Sequence, residues 1–335
     1  MRVVDAFCGV GGVSCGALQL EGLRVVMGLD NDDRMLKSWA SNTGGRAVCT
    51  TIAPGDETAV EWPEADEDVF VHLSPPCTAL SRARAGSATA IDQEAGLDLL
   101  RWSLDLVIER SYALFSIENV STTATRAIAQ RYAERYPERV AFVTVDCADY
   151  GVPQSRVRLL ISTPTIVRAL KETPVRRVTI ADAFAIAGLA LPATHIKSNT
   201  SGRDGAACLR SVQQQAFTIT ASHPLAWSDA NGQTVRCLTV AESALLQGFP
   251  PSWKLPKGSR LGIRAIGNAV PPPLATQVMR CALSCNGRLP NELDGPVPPS
   301  SPLALPPAST EARLLELMRR VEALEAVLHH PRGEE

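Results

Sequence analysis

The sequence predicts an open α/β sheet followed by a smaller, less regular domain. Three observations carry this. Apolar strand-like segments alternate with helical ones through about residue 163. Beyond that point the alternation weakens, and the segments become short and rich in Gly, Ser, Thr and Asn. Asp5 to Gly12, Asp30, Cys77 and Glu118 all fall at predicted strand ends, and ligands of open α/β sheets bind beyond the carboxyl ends of strands.

The elements come in order along the chain. "RVVDAF" is a short apolar strand, and "CGVGGVSCGALQLEG" is a glycine turn leading into a helix. "LRVVMGLDND" is a strand ending in acids, "DRMLKSWASN" a helix and "DVFVHLS" a strand. "DLLRWSLDLVIER" is helical, "YALFSIENV" is a strand, and "RAIAQRYAERY" is helical again. "RVAFVTVDCADYGVPQSRVRLLIST" reads as two strands around a loop. Near residue 240, Thr239 and Glu242 have the spacing of a capping box, and Gly248 is placed to end that helix.

The chain of 335 residues is long enough for about two domains. It has no apolar run of membrane-spanning length, and "MRVVDAFCGV" enters a strand directly, without a signal-peptide plan. Nine cysteines, none in a CxxC pair, predict reduced thiols in a cytoplasmic protein with neither a disulfide framework nor a metal site. Net charge is −2, but residues 81–290 hold 24 Lys and Arg against 15 Asp and Glu, between two acidic ends. A local basic surface of this kind suits phosphate contact, although scattered solvated arginines give the same count.

At the carboxyl end, residues 289–310 are Pro-rich and read as an extended linker. Residues 311–330 then place Leu314, Leu317, Val321, Leu324 and Leu328 at spacings of three and four. This is an amphipathic helix, either docked on its own fold or weakly self-associating as a short coiled coil.

Six motifs carry chemistry. In "DAFCGVGG", Gly9, Gly11 and Gly12 let backbone approach a ligand. Ser14 stands where the dinucleotide fingerprint needs its last glycine, so that match fails. Asp30 ends the next strand, where an acid accepts from ribose hydroxyls. Together they suggest an adenosine-containing cofactor without a diphosphate. In "SPPCTALS", Pro75 and Pro76 end a strand and stiffen the residues after it; Cys77 behind them suits a nucleophile or an ordinary turn. In "IENV", Glu118 is either a carboxyl with a raised pKa that donates to a ring nitrogen, or half of a buried ion pair. Arg156 and Arg158 of "PQSRVR" lie two apart, on one side of a strand, with Gln154 in the loop before them. "LTVAESALLQGFP" and "IGNAVPP" complete the set.

In this order the motifs resemble the DNA cytosine-5 methyltransferase family over roughly residues 1–285. The resemblance implies a Rossmann-like S-adenosylmethionine-dependent fold with a mixed, mainly parallel sheet. It implies a catalytic domain of residues 1–163 and 264–288 and a target-recognition domain of residues 164–263. Cys77 matches the nucleophile, Glu118 the carboxyl engaging the cytosine edge, and Arg158, with Arg156 beside it, the arginine near O2. Phe7, Gly9, Gly11, Gly12, Asp30, Asn31, Leu97, Asn268 and Val270 match cofactor positions for S-adenosyl-L-methionine. Ser81, Arg82, Arg84, Gln154, Arg203, Thr218, Ile219 and Gln247 are candidates for contact with double-stranded DNA, the expected partner. Arg210 and His223 are further basic groups of the recognition region.

Departures from the family pattern include Thr78 and Leu80 beside the nucleophile and Asn31 after the ribose acid. No residue of "AVCTTIAPGD" clearly matches the acid expected at the adenine, with Asp56 the nearest guess. No cysteine is followed by Phe-Thr, the mark of the RNA-methylating branch.

Overall fold

The computed structural model describes residues 1–52, 60–76, 80, 89–201 and 207–286. Seven strands form one sheet: β1 (Arg2–Ala6), β2 (Arg24–Asp30), β3 (Arg46–Cys49), β4 (Val69–Leu73), β5 (Leu114–Val120), β6 (Ala141–Asp146) and β7 (Val157–Ser162). Their order is β3-β2-β1-β4-β5-β7-β6. All pairs from β3 to β5 are parallel, and β7 runs antiparallel to both β5 and β6. The central strands β4 and β5 are buried at every position, as strands covered on both faces must be.

Helices cover the two faces. On one, α1 (Gly12–Ala17), α5 (Pro164–Glu172) and α9 (Pro272–Cys285) close over Val3, Phe70 and Leu160. On the other, α3 (Ala90–Glu109) and α4 (Thr123–Arg135) bury Val71, Phe115 and Ile161 beneath Leu100, Leu104 and Ile128. The remaining helix of this body, α2 (Asp33–Thr43), starts at an Asp32 cap whose carboxylate accepts from Arg34 N. Among the described residues, no helix is long and apolar enough to cross a membrane.

The region predicted as irregular holds a second sheet. Strands β8 (His195–Ser201), β9 (Ala207–Ser211), β10 (Ala226–Ser228) and β11 (Thr234–Cys237) lie in the antiparallel order β11-β10-β8-β9. Helix α6 (Ile180–Ile186) packs Phe184 edge-on against Trp227 of β10, with ring centroids 5.3 Å apart. Helices α7 (Val240–Gln247) and α8 (Ser259–Asn268) lead back to the first sheet.

One predicted boundary shifts. Residues 164–172 fall on the recognition side of the sequence division, yet Ile166 and Leu170 of α5 are fully buried in the core shared with Leu274 and Val278. The apolar face of α5 finds its partner in α9, over a hundred residues later, which local sequence does not reveal. The linker, the predicted self-associating helix at residues 311–330 and Asp56 lie outside the described residues.

Candidate active site

The first sheet ends in a glycine loop with strongly constrained backbone. Phe7 has φ 58°, a left-handed conformation that only a well-determined surrounding maintains in a non-glycine residue. Gly9 N donates to Asp30 Oδ2 at 2.8 Å, and Asp32 N donates to Asp30 Oδ1 at 2.9 Å. These bonds fix the acid at the end of β2. Burial raises the Asp30 pKa, and the backbone donors hold it back. Gly12 lies against Val270: a Cβ there would sit 2.0 Å from the Val270 carbonyl oxygen. The distant "NAV" segment therefore touches the loop backbone directly.

Beneath the loop, Asp5 Oδ2 accepts from Ser14 N at 3.1 Å and Ser14 Oγ at 2.6 Å, and Trp39 Nε1 donates to Ser14 Oγ at 2.8 Å. Burial pushes the Asp5 pKa up to about 7 despite these donors. Trp253 Nε1 donates to the Val10 carbonyl at 2.9 Å and holds the loop from its other side.

A cleft of about 320 Å³ opens above this loop. Of the predicted cofactor residues, Phe7, Gly9, Gly12, Asp30, Asn31, Asn268 and Val270 line it. Gly11 stands behind as the α1 cap at φ 86°, facing Trp39 and Trp253. Leu97 does not line the cleft: it packs into the core below α3, and Leu99 takes the lining position. Helix phase explains this, since two residues along α3 turn the side chain through about 200°. Sequence reading also missed Thr50, Thr51 and Ile52, beyond the end of β3, and Arg264. Arg264 precedes Asn268 by one helical turn on α8, and that spacing was the available signal.

The cleft suits S-adenosylmethionine on two counts. Four carboxyl groups, Asp5, Asp30, Asp32 and Glu118, line it beside Arg264, the one cation among the described lining residues, so acceptors outnumber cations, which suits a positively charged ligand rich in donors. Gly9 has nothing within 4 Å of the place a Cβ would take, so the loop leaves room where a side chain would intrude. Asp30, Asn31, Asn268 and Val270 are among the residues such a ligand would meet.

Glu118 of β5 lines the cleft, and Arg158 of β7, outside the lining, forms an ion pair with it, Nε to Oε1 at 2.8 Å. Antiparallel pairing of β5 with β7 brings both strands to one edge. Asn119 Nδ2 donates to the Pro75 carbonyl at 3.3 Å, and Ser74 N donates to the Ala6 carbonyl at 3.2 Å. Pro75, Pro76 and Glu118 thus line the same cleft as the glycine loop. Cys77, next in the chain, lies outside the described residues, as do Thr78, Ser81, Arg82, Arg84 and Arg203.

Several predicted contacts have other roles here. Arg156 gives its guanidinium to the carbonyls of Ile219 and Gly267, both at 2.9 Å, and Ala269 at 3.3 Å. It does not line the cleft, so its predicted catalytic role becomes that of a strut. Gln154 and Gln247, read as DNA contacts, are completely buried. Gln154 bonds to Leu246, Gln247 and Ile219, and Gln247 to Ala269. Buried amides need such partners, and these have no surface left for DNA. Ile219 is 1% exposed, and the Thr218 hydroxyl donates to the Ser155 carbonyl at 2.8 Å. Arg210 donates to the carbonyls of Gln215 and Ala216 and stacks over Phe217, while His223 remains exposed beside Ser222.

Comparison with known proteins shows the family. Residues 1–165 and 176–283 match the family model of the C-5 cytosine-specific DNA methylases. The Type II methyltransferase M.NlaX of Neisseria lactamica is 23% identical over 317 residues, covering 84% of this chain and 97% of that protein. The Type II methylase M.HgiDII of Herpetosiphon aurantiacus is 29% identical over 167 residues, which are 48% of this chain and 46% of that one. The S. pombe Dnmt2 methyltransferase superposes with a TM-score of 0.55 at 15% identity, over 85% of this chain and 99% of that one, a likeness of fold. With most of its length matched by the family model, this chain belongs to the C-5 cytosine-specific DNA methylases and is a DNA cytosine-5 methyltransferase.

Proposed function

We propose that the enzyme acts on a cytosine flipped out of duplex DNA, through a covalent bond between Cys77 and C6 of the base. The observation that carries this reading is the buried Glu118–Arg158 pair, with Glu118 lining the same cleft as Pro75 and Pro76, the two residues before Cys77 in the sequence. Bound S-adenosylmethionine supplies the electrophilic methyl group. The Cys77 thiolate adds to C6, and the electron pair of the C5–C6 bond moves to C5, which takes the methyl. Loss of the C5 proton to a base then restores the double bond and expels the thiolate. Glu118 engages the N3 and amino edge and offsets charge as the adduct forms, while Arg158 faces O2. The cytosine cannot be reached while stacked, so flipping costs a few kcal/mol before chemistry begins.

The segment around Thr218, between β9 and β10, we assign with the second sheet to target recognition. Ser81, Arg82, Arg84 and Arg203 belong to segments assigned to the DNA backbone and bases. The residues around the cleft, rather than any single side chain, define the cofactor site.

The test uses labelled S-adenosylmethionine and long duplex DNA of random sequence, which contains every short site. The parent protein should label DNA, and Cys77→Ala should not. With 5-fluorocytosine in the duplex the C5 position cannot lose its substituent, so a denaturation-resistant protein–DNA adduct should accumulate with the parent alone. Transfer by Cys77→Ala at the parental rate, or no adduct from an active parent, overturns the mechanism.

A further inference from the structure

Three buried side chains from two segments meet where the two sheets join: Gln154 and Arg156 just before β7, and Gln247 at the end of α7. Their bonds converge on two stretches of backbone. At Ile219, the N–H donates to Gln154 Oε1 at 3.0 Å and the carbonyl accepts from Arg156 Nη1 at 2.9 Å. Around Asn268, Arg156 Nη2 donates to the carbonyls on both sides, Gly267 at 2.9 Å and Ala269 at 3.3 Å. Gln247 Nε2 donates to Ala269 as well, at 2.6 Å, and Gln247 Oε1 accepts from Gln154 Nε2, also at 2.6 Å. The two stretches also touch directly. A Cβ on Gly267 would lie 2.3 Å from Ala221 N and from the Thr220 carbonyl carbon.

We propose that Gln154, Arg156 and Gln247 are positioning residues that couple the recognition segment, residues 216–221, to the cofactor wall, residues 267–270. The inference rests on the reading of the cleft as the cofactor site and of the second sheet as the DNA-recognition side. Neither stretch can shift alone without leaving buried carbonyls or amides unpaired, and the close backbone contact leaves no slack to absorb a shift. Seating of DNA against residues 216–221 therefore sets the geometry of Asn268 and Val270, and cofactor binding sets the recognition segment in return. The coupling must be reciprocal.

The test measures binding of S-adenosylhomocysteine, which permits no turnover, with and without saturating random-sequence duplex. The parent should bind it at least about fivefold more tightly with DNA present. Arg156→Lys and the isosteric Gln247→Glu, which loses the donor to Ala269 but keeps an acceptor for Gln154, should bring that ratio close to one. Gln154→Glu provides a milder third variant, because it keeps the acceptor for Ile219 N. Val107→Ala, in the core on the far face of the sheet, should lower Tm and keep the parental ratio. A merely structural role predicts that any variant with the same Tm loss behaves alike.

A parental ratio of one, or folded variants that keep the parental ratio, overturns the coupling. Glu118→Gln separates this failure from failure of the active-site reading. That variant should keep a coupling ratio above one while transferring the methyl group about 10²–10³-fold more slowly, and full transfer by it would overturn the reading of the site instead.

Discussion

Arg158 Nε lies 2.8 Å from Glu118 Oε1, and the two side chains are only 10% and 7% exposed. A pair this buried is expensive to break one partner at a time. Removing one partner leaves the other charge without solvent, at about 3–5 kcal/mol. Arg158→Ala should therefore lower both stability and turnover. Glu118→Gln keeps shape and, on the proposed mechanism, removes the charge that offsets adduct formation. It should lower kcat about 10²–10³-fold, as loss of one transition-state contact does, with the smaller loss of Tm. Thermal melts and single-turnover rates on the two variants check the ranking. A larger Tm loss for Glu118→Gln than for Arg158→Ala contradicts it.

Gly12 predicts a steric outcome. A methyl group there meets the carbonyl oxygen of Val270, which is backbone and cannot rotate away. The α1 and α9 segments must separate, and overpacking of this kind costs about 1–3 kcal/mol or more. Because the displaced residue is a wall of the cleft, Gly12→Ala should weaken S-adenosylmethionine binding beyond what its Tm loss explains. Equilibrium dialysis below the melting range measures this. Parental affinity in Gly12→Ala would mean that the wall tolerates displacement.

The pH dependence of stability contains two opposing contributions. His72, buried with Nδ1 2.7 Å from Ser116 Oγ, has its pKa lowered to about 3 by burial. The unfolded chain therefore binds a proton that the native state refuses, and this contribution to stability is lost as pH falls from about 6.5 toward 3. Asp5 is the reverse. Its native pKa of about 7 lies above the 3.8 of the free carboxyl, so its contribution is present below about 3.8 and lost as pH rises through 7. Between about 4 and 6.5 the two slopes cancel. Relative to the parent, Asp5→Asn should make Tm rise with pH across this window, and His72→Phe should make it fall. Parallel Tm profiles for all three proteins would show that neither group titrates as its burial implies.

The repeating strand–helix order was legible because each element carries its own apolar period and punctuation. The capping box at α7 is present as read: Thr239 N donates to Glu242 Oε2 at 2.8 Å, and Glu242 N donates to Thr239 Oγ1 at 3.2 Å. Such local devices need only neighbours in sequence. Gln154, Arg156 and Gln247 were placed in the right region with the wrong partners. A glutamine in a loop reads the same whether it faces DNA or a carbonyl, and the Arg156 acceptors lie 63 to 113 residues away. Strand β3 escaped notice because its four residues are mostly exposed and show no alternation. The second sheet was read as irregular for a related reason: β10 and β11 are three and four residues long, below the length at which period two can be seen. Leu97 failed by helix phase alone, two positions from the residue that lines the cleft.

Arg264 and Asp32 give the last prediction. They form an ion pair although 232 residues apart, and both line the cleft. Asp32 also accepts from Arg34, at 2.9 Å from Nε and 2.8 Å from Nη2. The hydrogen bonds from Arg34, with help from Arg264, hold the Asp32 carboxyl down at about 2, so it is charged throughout the physiological range. Arg264 is 44% exposed, so its pair contributes about 1 kcal/mol or less and is screened by salt. Its effect should fall on the cleft rather than on the fold. Arg264→Ala should leave Tm nearly unchanged and raise the KM for S-adenosylmethionine a few-fold in dilute buffer, and the difference from the parent should shrink at high salt. Arg34→Ala leaves the cross-cleft pair intact and should change KM less. Equal KM shifts for the two variants would place the effect on Asp32 rather than on the pair with Arg264, and a shift in Arg264→Ala that salt does not reduce would assign Arg264 a direct contact in place of the ion pair.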